Sequence, residues 1–241
     1  MIKVCVIGAR GRMGAETCRA IQAASDMDLS AMITSADGAK GIARTEADVA
    51  VEFSTPSSVF ENCLAAIGAG MHLVVGATGL SDEQLTQLDQ DAKSADVGLF
   101  VAPNFALGAV LMMRFAAEAA PYFPRAEIVE RHHEGKIDAP SGTSLRTASL
   151  MNAARSQPWA PLDDRGSAAT GEDHDGIRIH SLRVPGSVAH QEVILGAPGE
   201  TLSIRHDSLD RVSFMPGVLL AIRKVGSLRG LTVGLENILD R

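Results

Sequence analysis

The sequence predicts an α/β protein with an N-terminal Rossmann-like parallel sheet and a C-terminal α+β domain that has an open, largely antiparallel or mixed sheet. Up to residue 104, short Val- and Ile-rich runs alternate with helical stretches, which is typical of parallel strands covered by helices on both faces. Beyond it, strand-like runs follow one another through short turns, which favours antiparallel pairing. We therefore place one domain at 1–104, with the segment 215–241 packing back on it, and a second domain at 105–214.

The first domain is expected to contain five buried strands and three amphipathic helices. The strand-like runs are KVCVIG, LSAMI, VAVEF, HLVVG and VGLFVA. The helical stretches are AETCRAIQAA, SSVFENCLAAIGAG and SDEQLTQLDQDAKSA. Ser81 followed three positions later by Gln84 is a capping-box pattern, and it predicts the start of the third helix.

The second domain begins with the helical stretch LGAVLMMRFAAEAA and a break at Pro121–Pro124. A strand containing Ile128 and Val129 follows, and Ser141 then opens the helix SLRTASLMNAAR. Residues 156–175 are rich in Pro, Gly, Ser and Asp, which predicts a long surface loop. The runs GIRIHSLRV, VAHQEVILG and TLSIRHD, joined by PGS and APGE turns, predict an antiparallel meander. From about residue 215 the chain returns to helix (GVLLAIRKV) and ends with LTVGLENIL.

The composition is ordinary for a globular protein and excludes several function classes. The 241 residues are 46% hydrophobic and 21% charged, with a formal charge of −7. This acidic balance, without a Lys/Arg run, argues against binding of nucleic acid or of a membrane surface. The apolar run at the N-terminus is too short for a signal peptide, and no run approaches the roughly 20 apolar residues of a transmembrane helix. Cys5 and Cys18 are expected to be buried thiols, so we expect a cytoplasmic protein.

Three glycines, Gly8, Gly11 and Gly14, lie between the first strand and the first helix in the spacing GxxGxxG. Glycines here permit a tight turn, close approach to a pyrophosphate and packing of the helix on the strand. The alternative is a tight strand-to-helix turn without a ligand. The second strand ends at Thr34 without a carboxylate to repel a 2′-phosphate, so we expect NADPH to be accepted alongside NADH. Arg10 and Arg12 lie in this glycine loop, which also favours NADPH. The alternative is that these two arginines only solvate an exposed turn.

Two further motifs, VVGATGL and VAPNFALG, each end a predicted parallel strand. Ligands of open α/β sheets bind at the carboxyl ends of the strands. Gly76 to Thr78 and Ala102 to Phe105 are therefore expected to line a nicotinamide pocket. Each motif is also compatible with an ordinary strand exit.

The segment EIVERHHEGKIDAPSGTSL, residues 127–145, collects groups that a hydrophobic core does not need. His132, His133 and Lys136 follow a predicted strand, and Ser141 begins a helix soon after them. A helix N-terminus favours an anion, a lysine adds a positive charge, and a histidine titrates near neutral pH. The segment therefore indicates a site that binds carboxylates and moves a proton.

The paired histidines have two other interpretations. An isolated histidine is usually structural, and neighbours on a strand point to opposite faces, so only one of the pair is expected to face a given ligand. A zinc site would need a third and a fourth ligand at suitable spacing, and no metal is expected. The scattered histidines at 174, 180, 190 and 206 are interpreted as surface or sheet residues.

These motifs occur in one order: GxxGRMG at the start, STP at 54–56, GATG at 76–79, APNF at 102–105 and HHxxKxDAPSGT at 132–143. In that order the chain resembles the 4-hydroxy-tetrahydrodipicolinate (dihydrodipicolinate) reductase family over essentially its whole length. The resemblance implies an NAD(P)H-dependent oxidoreductase that reduces the dihydrodipicolinate-type cyclic imine dicarboxylate to tetrahydrodipicolinate in diaminopimelate and lysine biosynthesis. It also implies a homotetramer associated through the C-terminal sheets, which makes 105–214 a substrate-binding and oligomerisation domain.

The resemblance also implies roles for individual residues. His132 is implied as the acid/base and Lys136 as the proton donor, while substrate binding is implied for His133, Gly142 and Thr143. The cofactor, NADPH and/or NADH, is implied to contact Gly8, Ala9, Arg10, Gly11, Arg12, Met13, Thr34, Gly76, Ala77, Thr78, Ala102, Pro103, Asn104 and Phe105. Ala77 and Ala106 stand where the family frequently has Thr and Ser, and Thr34 stands where it has an acidic ribose contact.

Two other functions compete with this one. A dehydrogenase acting on an amino or semialdehyde substrate would share the glycine loop, but it gives no reason for HHxxK before PSGT. A redox-sensing regulator that binds NAD(P)H without turnover could lack a proton donor, whereas His132 and Lys136 are both present. The sequence leaves open the preference between NADH and NADPH, the extent of domain closure, and which of His132 and Lys136 delivers the proton.

Overall fold

A computed structural model describes residues 1–161 and 168–239 of the chain. By its internal contacts the chain divides into two compact units. The first unit joins Met1–Leu107 to Arg211–Arg241, and the second unit is Gly108–Asp210. The C-terminal segment thus belongs to the same unit as the N-terminal half.

Strands and helices alternate in the first half of the chain, and strands predominate in the second. The strands are β1 (Ile2–Ile7), β2 (Met27–Ile33), β3 (Val49–Glu52), β4 (His72–Val75), β5 (Gly98–Val101), β6 (Arg125–His132), β7 (Glu172–His174), β8 (Ile177–Arg183), β9 (Ala189–Ala197), β10 (Glu200–Ser208) and β11 (Gly230–Val233). The helices are α1 (Arg12–Ala23), α2 (Gly38–Ile42), α3 (Val59–Gly68), α4 (Asp82–Ser94), α5 (Leu107–Ala119), α6 (Gly142–Ala153) and α7 (Met215–Val225). Short 3₁₀ turns lie at Ala120–Tyr122, Ala168–Thr170, Arg211–Phe214 and Leu235–Asn237.

The first unit is built on a parallel sheet in the order β2-β1-β3-β4-β5-β11. The five strands expected from the apolar runs are all present, so the Rossmann-like prediction is confirmed. The sixth strand, β11, comes from the C-terminal LTV segment and pairs with β5. Sequence patterning did not mark it as a strand, because four residues at the edge of a sheet show little periodicity.

The predicted helices of this unit are confirmed, and the start of α4 is as its pattern predicts. The Ser81 hydroxyl accepts from the Gln84 N–H at 3.2 Å, and the Gln84 side chain accepts from the Ser81 N–H at 2.9 Å. Helix α2 was not expected, because five residues are too few to show a helical period. Cys5, Cys18 and Cys63 are all buried thiols, the state expected for the first two.

The strand order reverses between β1 and β3, because the chain places β2 on one side of β1 and all later strands on the other. Such a reversal separates the helices that flank the two strands and opens a crevice at the carboxyl ends of the strands. The glycine turn after β1 and the STP segment after β3 therefore meet at this crevice.

The second unit is built on a mixed five-stranded sheet in the order β10-β9-β6-β8-β7, as the predicted α+β class allows. The hairpin of β9 and β10 is antiparallel, but the predicted meander is wrong at β8 and β9, because β6 lies between them. Strand β6 runs parallel to β8 and antiparallel to β9. Its Ile128 is fully buried with Ile179 and Val193 as its neighbours on the two sides, and this apolar strand takes the centre of the sheet.

The predicted surface loop at 156–175 is correct for most of its described residues, which are exposed, but it fails at Trp159 and at residues 172–174; residues 162–167 lie outside the described residues. Trp159 is buried, its indole N–H donates to Asn152 Oδ1 at 2.6 Å, and the guanidinium of Arg155 stacks on its ring at 3.7 Å. Residues 172–174 form β7 at the edge of the sheet. The buried side chain of Trp159 anchors this segment, although the composition of the segment is mostly polar. The four scattered histidines lie in strands, as expected.

Candidate functional site

The glycine turn after β1 requires glycine for two different reasons. Gly8 has φ +78°, and a Cβ there would lie 2.6 Å from the carbonyl oxygen of Phe53 on the neighbouring chain segment. A Cβ at Gly14 would lie 2.2 Å from the carbonyl oxygen of Gly8, so α1 packs directly on the turn. The N-cap residue of α1 is Gly11, which has no side chain to cap the N–H groups of the first turn. The backbone N–H groups at the start of α1 can therefore bind an anion.

A cleft of about 450 Å³ lies at the strand reversal. Four residues predicted from the sequence are in its lining: Gly8, Arg10, Gly11 and Thr34. Sequence reasoning missed the other side of the cleft, which is formed after β3 by Ser54, Thr55, Ser58 and Asn62. The signal was available, since STP follows the strand that neighbours β1.

The polar residues after β3 form one hydrogen-bonded group. The Ser54 hydroxyl accepts from Asn62 Nδ2 at 3.1 Å and lies 3.0 Å from the Ser58 hydroxyl. The Thr55 hydroxyl also lies 3.0 Å from that of Ser58. These contacts order a wall of hydroxyl groups that can both donate to and accept from a ligand.

The end of β2 itself carries no carboxylate, as expected, but a carboxylate from the following turn, that of Asp37, bonds to it. Asp37 Oδ2 accepts from both the Thr34 hydroxyl at 2.7 Å and the Thr34 N–H at 2.8 Å. These bonds, first that from the hydroxyl, lower the pKa of Asp37, and the charge of Arg10 lowers it further. The turn after β2 folds back on the strand end, and this brings the carboxylate of Asp37 to Thr34, a residue that lines the cleft.

Glu52, the last residue of β3, is fully buried beneath the cleft wall. Its Oε1 accepts from the Ser54 N–H at 2.6 Å, while Oε2 has no hydrogen-bond partner within the described ranges. Burial raises the pKa of this carboxyl group above its ordinary value, although the bonds from Ser54 and Asn62 oppose the shift.

The two strand-end motifs lie at the same edge of the sheet but outside the lining of the cleft. After β4, the N–H groups of Gly76 and Ala77 both donate to the carbonyl of Glu52, at 3.0 and 3.2 Å. After β5, Ala102 and Phe105 are buried. The segments containing Thr78 and Pro103 complete these two strand exits.

Phe105 is a core residue in this unit. Its ring makes edge-to-face contacts with Phe53 and Phe100, at centroid distances of 5.8 and 6.2 Å. The Asn104 side chain accepts from the Ala106 N–H at 2.9 Å and so fixes the turn that follows β5. This segment can therefore contact a ligand through its backbone and through Asn104, not through the phenyl ring.

The other residues expected at the cofactor are in and around the first turn of α1. Ala9 is buried, Arg12 is exposed and Met13 is half-buried. Arg12 and Met13 are the first two residues of the helix, so their N–H groups belong to the open N-terminus described above.

In the second unit, β6 carries the predicted acid/base at its last residue, His132. The His132 Nδ1 lies 2.5 Å from Oε2 of Glu130, whose side chain is completely buried on the same strand. Burial alone would raise the pKa of Glu130, but the hydrogen bonds from His132, Arg183 and Ser181 lower it to about 2. Glu130 is therefore an anion at neutral pH and fixes the imidazole ring. Sequence reasoning missed it, although alternation along β6 places both residues on one face.

Lys136 lies in the turn after β6, which the Lys136 N–H closes on the His133 carbonyl at 3.1 Å. The Lys136 ammonium donates to both carboxylate oxygens of Asp138 at 2.7 Å. This bond lowers the pKa of Asp138. The lysine side chain is thus held in a defined position, and its partner Asp138 was also missed from the sequence.

Helix α6 begins directly after this turn, with Ser141 as its N-cap. The buried Ser141 hydroxyl accepts from the Ser144 N–H at 3.2 Å. A Cβ at Gly142 would meet no atom within 4 Å, so the helix begins next to open space at this residue. Gly142 and Thr143, the first two residues of α6, can therefore present backbone N–H groups to a carboxylate. In the structure these predicted residues lie on consecutive parts of one unit: the end of β6, the turn after it and the first turn of α6.

Two features were not found among the described residues. Over residues 1–161 and 168–239, no group of three or more His, Cys, Asp or Glu side chains is arranged to hold a metal ion. Within the same ranges, no helix has both the length and the apolar character needed to cross a membrane.

Comparison with known proteins matches both halves of the chain to one family. The family model described as dihydrodipicolinate reductase, N-terminus, matches residues 2–105, and the one described as dihydrodipicolinate reductase, C-terminus, matches residues 108–239. Proteins named 4-hydroxy-tetrahydrodipicolinate reductase are similar over 99% of the chain. That of Streptomyces coelicolor is 50% identical, with 98% of its own length covered, and that of Thermobifida fusca is 51% identical, with 99% covered.

Solved structures give the same relationship. The dipicolinate-bound dihydrodipicolinate reductase from Paenisporosarcina sp. TG-14 matches with a TM-score of 0.88 and 38% identity, covering 99% of this chain and all of that one (100%). A probable dehydrogenase from Thermotoga maritima has a TM-score of 0.65 at 14% identity, covering 98% of this chain and 92% of that one, and this likeness concerns the fold alone.

Proposed function

Because the chain belongs to the dihydrodipicolinate reductase family, we propose that it uses NADPH or NADH to reduce the dihydrodipicolinate-type cyclic imine dicarboxylate to tetrahydrodipicolinate. This reaction is a step of diaminopimelate and lysine biosynthesis. The observation that carries the proposal is the segment from His132 to Thr143, which combines a carboxylate-bound imidazole, a fixed ammonium group and an open helix N-terminus.

The first unit is suited to bind the nicotinamide cofactor. The glycine turn and the open N-terminus of α1 would hold the pyrophosphate, because backbone N–H groups and the helix dipole both favour it. The strand exits at Gly76–Thr78 and Ala102–Phe105 would contact the nicotinamide through their backbones. The cofactor supplies the hydride, and the protein supplies its orientation and the surrounding charge.

The choice between the two cofactors is expected to depend on Asp37 and Arg10. The Asp37 carboxylate can accept from the ribose hydroxyls of NADH, whereas it repels the additional phosphate of NADPH. Arg10 lines the same cleft and can donate to that phosphate. We propose that both cofactors are used, because the two side chains favour different ones.

The second unit is suited to bind a planar dicarboxylate. The N–H groups of Gly142 and Thr143 can donate to one carboxylate at the N-terminus of α6. His133, which follows β6 directly, can donate to the dianion from its ring. Lys136, whose ammonium is paired with Asp138, can donate a further hydrogen bond to the dianion.

Hydride addition to a conjugated imine leaves an electron-rich enamine that must gain a proton. Lys136 is proposed to deliver that proton, because its ammonium group is a charged donor held in place by Asp138. His132 is proposed as the acid/base that accompanies this transfer, since a neutral imidazole can take up a proton and return it.

We also propose that the enzyme is a cytoplasmic homotetramer associated through the sheets of its second units. The exposed Leu182 and Val184 at the end of β8 support this, because apolar side chains on a strand edge favour burial by a partner. Light scattering at several concentrations measures the assembly, and a monomer throughout would contradict the proposal.

The reductase function is tested by following NAD(P)H oxidation with freshly generated pathway substrate. We expect turnover with this dicarboxylate and none with amino or semialdehyde substrates. Tight cofactor binding without any turnover would instead favour a redox-sensing regulator and refute the reductase.

The role of Lys136 is tested with Lys136→Ala. Loss of a positioned acid is expected to lower kcat by roughly two or more orders of magnitude, with the fold retained. Lys93→Ala is a matched control, because Lys93 also pairs with an aspartate, Asp89, at 2.7 Å but lies on exposed α4. Turnover near that of the unmodified enzyme in Lys136→Ala would remove Lys136 from the mechanism.

A further inference from the structure

Arg183, the last residue of β8, connects the parts of the substrate segment. Its guanidinium donates five hydrogen bonds, and all of the distances are between 2.6 and 3.2 Å. Two of them reach the two carboxylate oxygens of Glu130, both at 2.9 Å. Two more reach the carbonyls of Lys136 and Asp138, at 3.2 and 2.6 Å. One side chain therefore holds both the strand below His132 and the turn that carries Lys136.

The register of the sheet explains why this residue reaches both. His132 of β6 pairs with Arg183 of β8, and Glu130 pairs with Ser181 two residues earlier. The guanidinium therefore reaches back to Glu130 on one side and forward to the turn after β6 on the other. Arginine suits this position because its planar fork presents donors in fixed directions, whereas the ammonium of lysine is a single point of charge.

Glu130 determines which ring nitrogen of His132 exchanges a proton. An ionised carboxylate can only accept hydrogen bonds, so the Nδ1 at 2.5 Å must carry a proton whether the ring is neutral or cationic. Nε2 is then the atom that gains or loses a proton during turnover. Without this contact the neutral ring can adopt either tautomer, and the wrong one presents an N–H where a lone pair is needed.

We propose that Glu130 and Arg183 are positioning residues of the reductase, which together fix the Nδ1–H tautomer of His132 and hold the turn that presents Lys136. Neither needs to touch the substrate. The proposal rests on the proposed function for its kinetic consequences, but the tautomer and the turn geometry are properties of the unliganded protein.

The kinetic test uses Arg183→Lys and Glu130→Gln. Each is expected to lower kcat by roughly 10–100-fold, the usual cost of removing a side chain that orients an active group, with a smaller change in KM. Arg223→Lys is the matched control, because Arg223 also makes a bidentate contact with a carboxylate, that of Asp26, but it is an exposed residue of the first unit. Near-normal kcat in both test variants, with the fold intact by circular dichroism, would overturn the proposal.

A second measurement does not depend on turnover. Nitrogen NMR of the imidazole rings, with the His132 signals identified from a His132→Gln sample, is expected to show the Nδ1–H tautomer in the unmodified protein. In a Glu130→Leu variant no side-chain oxygen faces Nδ1, so the ring should no longer be restricted to the Nδ1–H form and Nε2–H signals should appear. An Nε2–H ring in the unmodified protein, or no change in the variant, would overturn the proposal. If the unmodified protein lacks reductase activity, the proposed function fails, and these spectra still decide the positioning role.

Discussion

Substituting Gly14 by alanine tests the account of the glycine turn most sharply. The added Cβ would lie 2.2 Å from the carbonyl oxygen of Gly8, 2.7 Å from its carbonyl carbon and 2.9 Å from the Cα of Ala9. All three are backbone atoms, so no flexible side chain can yield. Ordinary contact begins near 3.4 Å, and the start of α1 must therefore withdraw from the turn by about 1 Å, a strain of the kind that costs roughly 1–3 kcal/mol.

The expected loss of affinity follows from this displacement. A shift of about 1 Å stretches a hydrogen bond from an N–H of α1 to a phosphate beyond its working distance. A hydrogen bond to a charged group contributes about 1.5–3 kcal/mol, so the Kd for NADPH and NADH should rise roughly 10–150-fold.

The assay is titration of the nicotinamide cofactor by fluorescence or calorimetry, with urea denaturation as a check on folding. Gly68→Ala is the matched control, because a Cβ at this last residue of α3 meets nothing within 4 Å. It should bind the cofactor normally. Unchanged affinity in Gly14→Ala, in a folded protein, would refute the claim that α1 and the glycine turn form the phosphate site.

Three further predictions concern other parts of the molecule. Asp37→Asn should raise the ratio of kcat/KM for NADPH over that for NADH, because it removes the charge that repels a 2′-phosphate; an unchanged ratio would exclude Asp37 from cofactor selection. Ser141→Ala should lower the free energy of unfolding by about 1 kcal/mol in urea denaturation, because α6 loses its cap. The pKa of Glu130 falls from 4.5 to about 2 on folding, so its contribution to stability is complete above about pH 4.5 and is lost as the pH falls toward 2. Glu130→Gln should accordingly flatten the decline of Tm across this acidic range, and a profile parallel to that of the unmodified protein would contradict the assignment.

The architecture of the first unit could be predicted because its apolar runs are short, regular and buried. The meander prediction failed because it assumed that strands adjacent in sequence pair with each other. In the structure β6 lies at the centre of the sheet, between β8 and β9. Strand β6 is central through the burial of Ile128, and this depends on partners that are distant in sequence. Likewise, the burial of Trp159 depends on its contact with α6, which the composition of the predicted loop does not reveal.

For the site, sequence spacing was sufficient where the chemistry is local. His132, His133, Lys136 and the N-terminus of α6 lie within one short segment, which in the structure forms the end of β6, the turn after it and the start of α6. The side chains that support them come from elsewhere or carry no motif. Arg183 is 53 positions from Glu130 in the chain, and only strand pairing brings the two together.

Transfer of deuterium from the cofactor to the product shows whether this chain is a reductase. The protein is mixed with freshly generated dihydrodipicolinate-pathway substrate and with NADPH deuterated at the transferring position of the nicotinamide, and the product is analysed by mass spectrometry. We expect each molecule of oxidised cofactor to be matched by one tetrahydrodipicolinate that carries one deuterium. Cofactor binding without deuterium in the product would contradict the assignment of this chain as a reductase.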